Sequence, residues 1–164
     1  MVATPEINQV RLPLTALDVP HMMAALARWQ AAAVGRRMPS EALASPFDLD
    51  AALGYLGIID VLRNPSDFKF RYFGKKMAAA QGEDYTGRRF SELEPSVYGS
   101  VVRRGYDEVC RERTPVLHHI RFLDQARARN YFRLLLPLSE GGVEVDVIWA
   151  VTHYYQGTWQ PYRR

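Results

Sequence analysis

The side chains of this sequence that could do chemistry are a lone cysteine, four histidines, a close pair of carboxylates and a few arginines set among aromatics. Cys110 has no second cysteine, so an intramolecular disulfide and a cysteine-rich metal site are both excluded. Arg111 and Arg113 stand close enough in sequence to lower a thiol pKa. A redox or adduct-forming thiol therefore stands beside the plainer reading, a small buried or half-buried residue. His118 and His119 are adjacent, and neighbours on a strand point to opposite faces. They cannot share one metal ion without a bulge, and they read with His21 and His153 as ordinary histidines, so no metal site is expected. Glu144 and Asp146 alternate with Val145 and Val147, which reads as the wet side of a strand rather than a paired-carboxylate catalyst. No nucleophile elbow, phosphate loop or metal-protease helix occurs. No catalytic residue is assigned, and the chain is expected not to be an enzyme.

The aromatics offer binding instead. Phe70, Tyr72, Phe90, Tyr98, Tyr106, Phe122, Phe132 and Trp149, with Val102, fall where they could converge on one side of a sheet. Such a group either fills a core or lines a pocket for a small organic ligand. Arg71 or Arg133, if turned inward, would favour an anionic ligand, because a guanidinium recognises oxyanions. The sequence leaves their direction open.

The elements that must position these residues follow from periodicity and turn chemistry. At 164 residues, 48% hydrophobic and 24% charged, the chain can bury a real core as one domain with extensions. Residues 1–20 hold Pro5, Pro13 and Pro20 without a clear period and read as an extended or disordered arm. Residues 21–47 read as an N-terminal helix and a connection. Pro20 fits its first turn, Met22, Leu26, Trp29 and Ala33 form one stripe, and Gly35 stops it. Residues 48–155 form the main domain. Asp48 is a candidate cap for a short helix with Leu49, Leu53 and Leu56 on one face. Strands over Gly57–Leu62 and Phe68–Phe73 follow, joined by the turn-forming Asn64-Pro65-Ser66-Asp67. Helical fragments at Lys75–Ala80 and Phe90–Leu93 precede a long helix from Ser96 to Arg113, ended by Thr114-Pro115. Strands at Val116–Leu123, Tyr131–Leu138 and Val143–Tyr154 complete the domain, the last two joined by a tight reversal at Gly141-Gly142. Residues 156–164 are a tail.

The order of these pieces resembles that of a PAS domain, a sensory fold, over residues 50–155. The signature runs Gly82-Glu83-Asp84-Tyr85-Thr86-Gly87-Arg88-Arg89-Phe90-Ser91-Glu92-Leu93 after a hairpin and short helices. The N-terminal part is similar to a bacterial subgroup of short PAS proteins, through Trp29, Arg36-Arg37, Met38-Pro39, Asp48 and the run from Leu56 to Val61. The resemblance implies an α+β fold: a five-stranded antiparallel sheet with helices over one face enclosing a cavity, plus the N-terminal helix. It also implies what to look for in cofactors. Flavin-adduct domains of this family place a cysteine after Gly-x-Asn just past the second glycine, and here Gly87-Arg88-Arg89-Phe90 has neither. Haem-binding members use a histidine on the long helix, and Ser96–Arg113 has none. Flavin-adduct chemistry and haem are not expected, and the cofactor is left unknown.

Together these readings describe a non-catalytic sensor or adaptor binding a small ligand, a signalling partner protein, or both. The alternative is a structural dimerisation module with a filled core. No apolar run nears the ~20 residues of a membrane span, and the N-terminus lacks a basic region followed by an apolar one, so a cytoplasmic location is expected. A net charge of +3 spread over scattered arginine pairs is no nucleic-acid footprint. Both faces of the sheet carry apolar residues, so something must cover the second. Met22, Leu26 and Trp29 are expected to do so, the helix folding back onto its own sheet or pairing with its twin, in or beside a homodimer interface.

Overall fold

The computed structural model describes residues 6–44, 50–64, 66–93, 97–124 and 127–155, and side chains within those spans except at 6, 50–51, 97–98, 124 and 127–129. Six strands form one antiparallel sheet in the order β1-β4-β5-β6-β2-β3. They are β1 (Glu6–Leu12), β2 (Leu56–Arg63), β3 (Ser66–Phe73), β4 (Val116–Asp124), β5 (Arg127–Leu138) and β6 (Val147–Tyr155). The helices are α1 (Pro20–Ala32), α2 (Asp50–Leu53), α3 (Lys75–Gln81) and α4 (Val97–Glu112), with a single 3-10 turn at Phe90–Glu92 before α4. Among the described residues no helix is long and apolar enough to cross a membrane.

The sheet has six strands where five were expected, because part of the N-terminal arm is strand β1. Its residues alternate Ile7, Gln9, Arg11 against Asn8, Val10, Leu12, too polar a pattern to read as a strand in isolation. Pairing decides it: Ile7 faces Phe122, Gln9 faces Ile120 and Arg11 faces His118, which satisfies the outer edge of β4. The last strand starts at Val147 rather than Val143. Residues 139–146 instead form a loop pinned by the Gly142 N–H to Ser139 Oγ and by the Glu140 N–H to Asp146 Oδ2. Glu144 and Asp146 therefore leave the strand, and both pair with Arg63. The short helix also ends early: α2 stops at Leu53, Leu56 opens β2, and Asp48 and Leu49 lie outside the described residues.

A bulge in β3 sets which side chains reach the interior. Ile58 faces Tyr72 and Ile59 faces Phe70, so Arg71 has no partner on β2. One extra residue reverses the alternation beyond it. Phe68, Phe70 and then Phe73 are buried, while Arg71 is exposed and Tyr72 only half buried.

Helices cover both faces of the sheet, with α1 on the second face as its apolar stripe implies. On one side, α3, the 3-10 turn and α4 lie over β3, β5 and β6. On the other, α1 lies over β5 and β6, where Leu134, Leu136, Trp149 and Val151 are fully buried. Pro20 opens α1 because its fixed φ suits the first turn and its missing N–H would be unbonded there anyway. Met22, Ala25 and Trp29 are buried on the sheet, and the Trp29 indole N–H donates to the Pro137 carbonyl at 2.7 Å. His21 Nε2 reaches the Thr152 carbonyl at 2.8 Å and stacks on Tyr55. Two of the three expected interface anchors, Met22 and Trp29, are thus spent on their own sheet, and Leu26 is partly buried beside them.

Trp29→Ala would remove a large buried ring and strand the Pro137 carbonyl. Urea melts of the variant are expected to give an unfolding free energy lower by about 3–5 kcal/mol. A loss below about 1 kcal/mol would mean that α1 is not docked in solution.

Candidate ligand cavity between the long helix and the sheet

A cavity of about 510 Å³ lies between α4 and the sheet. Its floor is Ala150, Thr152 and Tyr154 of β6 with Tyr131 and Arg133 of β5. Val102 and Tyr106 of α4 form one wall, and Phe70 and Phe73 of β3 with Met77 of α3 form another. Tyr85, Phe90 and Leu93 line a further side. That side is held against β3: the Phe70 N–H donates to the Arg88 carbonyl, the Gly87 N–H to the Phe70 carbonyl, and the Phe73 N–H to Thr86 Oγ1. Phe73 meets Phe70 and Tyr85 edge to face, and Phe90 meets Tyr106 in the same way. Such offset ring pairs stiffen the wall beyond their area of contact. Arg88 pairs with Glu83 at 2.5 Å among the cavity-lining residues.

Asp67 anchors the 3-10 turn to β3. It is buried and accepts from the Phe68 N–H, the Ser91 N–H and the Ser91 hydroxyl, with Arg103 at 3.7 Å. Burial alone would raise its pKa. The bond from the Ser91 hydroxyl, the two backbone N–H groups and the Arg103 charge outweigh burial and hold it below the usual carboxylate value.

The polar end of the cavity is Arg133, only 2% exposed. Its guanidinium lies under α4 at Gly105, where an added Cβ would come within 2.0 Å of Nη2. Nothing larger than glycine leaves the group that seat. Nη2 donates to Gln9 Oε1 of β1 at 3.1 Å and to His118 Nδ1 of β4 at 3.3 Å, and the Tyr106 ring centre lies 5.5 Å from the guanidinium carbon. Nε and Nη1 find no acceptor among the described residues. With Nδ1 accepting, His118 carries its proton on Nε2 and donates to Glu108 Oε2 at 3.1 Å. Glu108 and Glu112 also hold Arg11 of β1. Burial first, and then the Arg133 charge, push the His118 pKa down to about 4 against the opposing pull of Glu108. At neutral pH the ring is uncharged, and among the described residues no carboxylate bonds Arg133 directly.

Of the residues singled out in the sequence, the structure brings Phe70, Phe90, Val102 and Tyr106 together on this cavity. Phe73 stands where Tyr72 was expected, because the bulge at Arg71 reverses the alternation, and the Tyr72 hydroxyl donates instead to the Leu53 carbonyl. Trp149 and Phe132 lie on the opposite sheet face, Trp149 fully buried and Phe132 against His119 and Tyr155. Phe122 shares the Arg133 face but lies beyond the cavity, in register with Ile7. The Tyr98 side chain is outside the described residues. Sequence reasoning missed Tyr131, Ala150, Thr152 and Tyr154. The available signal was strand parity, since choosing Phe132 and Trp149 as inward by bulk turned their smaller or more polar neighbours outward. Arg71 is exposed and neutralised by Asp60 and Glu41, and the bond to Glu41 leads in raising its pKa. Cys110 is no activated thiol: burial and then Asp107, only partly offset by Arg63, push it up to about 11.

A family model described as PAS domain matches residues 17–149 of the 164. No curated protein and no solved structure matches the chain.

The depressed His118 pKa makes stability depend on pH with a definite sign. Below the ordinary imidazole value of 6.5 the unfolded chain takes up a proton that the folded chain refuses until about 4. The His118 contribution is therefore whole above that window and is lost on acidification through it. Nitrogen-15 NMR is expected to find His118 as the neutral Nε2–H tautomer at pH 5.5 (about one unit below the usual midpoint). A midpoint at or above the ordinary value would contradict the geometry around Arg133.

Proposed function

The chain belongs to the PAS domain family, and from that membership we propose that it is a sensor module with no catalytic step of its own. In this reading a small organic ligand occupies the cavity under α4, and its presence is reported through contact with another protein in the cytoplasm. The observation that carries it is the open volume of about 510 Å³ among aromatic walls with a buried cation at one end. That is the size of a small-molecule site, and aromatic walls there alternate with polar groups that could fix an orientation. A structural module with a filled core, the alternative reading, gives that volume no role.

The partner that receives the signal is proposed on different grounds. With Met22 and Trp29 already covered, a second copy of the chain meeting α1 would find its outer side, where Met23 is 48% exposed. Light scattering at high micromolar concentration is expected to return the mass of two chains, and the mass of one chain would remove the homodimer.

Ligand occupancy is tested with the neutral fluorescent probe N-phenyl-1-naphthylamine. The wild-type chain is expected to bind it with enhanced emission, and Val102→Trp, which fills the cavity from α4, to weaken binding by about tenfold or more with its melt retained. A wild-type chain that ignores the probe, or a variant that binds it equally, would place ligand binding elsewhere.

A further inference from the structure

Resting on that cavity reading, we propose that the ligand is an organic monocarboxylate. Its carboxylate bonds to Arg133 and its apolar body lies along the aromatic walls. A guanidinium taken out of water is costly unless it is both paired and hydrogen-bonded. Arg133 is 2% exposed, yet both of its acceptors, Gln9 Oε1 and His118 Nδ1, are neutral and both meet Nη2. Nε and Nη1 have no acceptor among the described residues, and Arg133 lines the cavity. An acceptor carrying one negative charge supplies what is missing: a counter-charge and lone pairs for N–H groups already in place.

Position and surroundings narrow the class. Glu108 is separated from Arg133 by the His118 ring, to which it is itself bonded, so it does not compete for the unused nitrogens. The other arginine lining the cavity, Arg88, is paired with Glu83, and Glu92 adds a further carboxylate to the lining. A dianion such as a phosphate monoester would find a single unpaired cation and acidic neighbours, whereas a monoanion is matched one to one. The Tyr106 ring centre lies 5.5 Å from the guanidinium carbon, a cation–π contact that uses neither Nε–H nor Nη1–H as a donor to oxygen. Beyond that end the walls are Phe70, Phe73, Phe90 and Val102, which suit a flat apolar body.

The test displaces N-phenyl-1-naphthylamine from the full chain with benzoate, phenylacetate and 2-naphthoate, each against its uncharged primary amide. The acids are expected to compete about 10- to 100-fold better than the amides, and benzoate to shift the Arg133 Nε–H resonance in nitrogen-15 NMR. Arg133→Met should erase the acid preference, and Arg133→Lys should retain part of it, each with a cooperative melt as the check on folding. Amides that compete as well as acids would overturn the carboxylate class while leaving the cavity as the ligand site. Should the probe itself fail to bind, the cavity reading falls first. The Arg133 resonance then decides alone, since no shift under saturating benzoate overturns the proposal and does not depend on either variant folding.

Discussion

A sheet that carries Leu134 and Leu136 on one face and Leu135 and Ile148 on the other has no side to give to water. Exposing any of these side chains would forfeit about 1.5–3 kcal/mol each, so both faces have to be roofed before the strands are worth forming. The two roofs are not alike. On the α1 side the cover is tight, with Met22, Ala25 and Trp29 buried where the helix packs on β5 and β6, and an indole bonded to a strand carbonyl. On the α4 side, the helix, α3 and the Tyr85–Leu93 segment meet the sheet around their rims and leave an unfilled centre. One face serves as foundation and the other as chamber, and the function proposed for the chain belongs to the second.

The polar end of that chamber also connects elements that have little apolar reason to stay together. Strand β1 offers few apolar side chains, yet it is joined to the interior through Gln9 on Arg133 and to α4 through Arg11 on Glu108 and Glu112. The Arg11 pairs are partly exposed and contribute little on their own. The Gln9 contact is different, because it bonds a guanidinium that is only 2% exposed. His118 stands between the two, bonded to Arg133 on one side and Glu108 on the other, so the edge strand, the long helix and the cavity share one chain of hydrogen bonds.

How much of this could be read in the residues varies with the physics of each part. The helices and most strands were legible because periodicity and Pro or Gly punctuation act locally: Pro20 opens α1, Gly35 with φ of 76° lies just beyond it, and α4 ends at Glu112 before Thr114-Pro115. Strand β1 was not, since its seven residues gain their conformation from β4 more than a hundred positions away. The site was half legible. Phe70, Phe90, Val102 and Tyr106 follow from bulk and spacing, but the bulge at Arg71 depends on how β2 pairs with β3, and nothing within β3 announces it. Parity in β5 and β6 was misread because Phe132 and Trp149, the aromatic side chains of these strands without a hydroxyl, belong to the tighter face. The direction of Arg133 follows only from the long-range contacts of β1, β4 and α4 around it.

Gly105 and Arg133 bind two distant positions into a single heritable unit. A methyl group on the helix would evict the guanidinium from its seat, and without the guanidinium the helix no longer has any need of glycine, which weakens it by about 1 kcal/mol relative to alanine. Relatives that keep the arginine should therefore keep the glycine, and lineages that lose the arginine are free to drift toward alanine opposite it. In an alignment of such relatives, the letter at a solvent-remote position on the long helix would report the charge carried in the chamber beneath it.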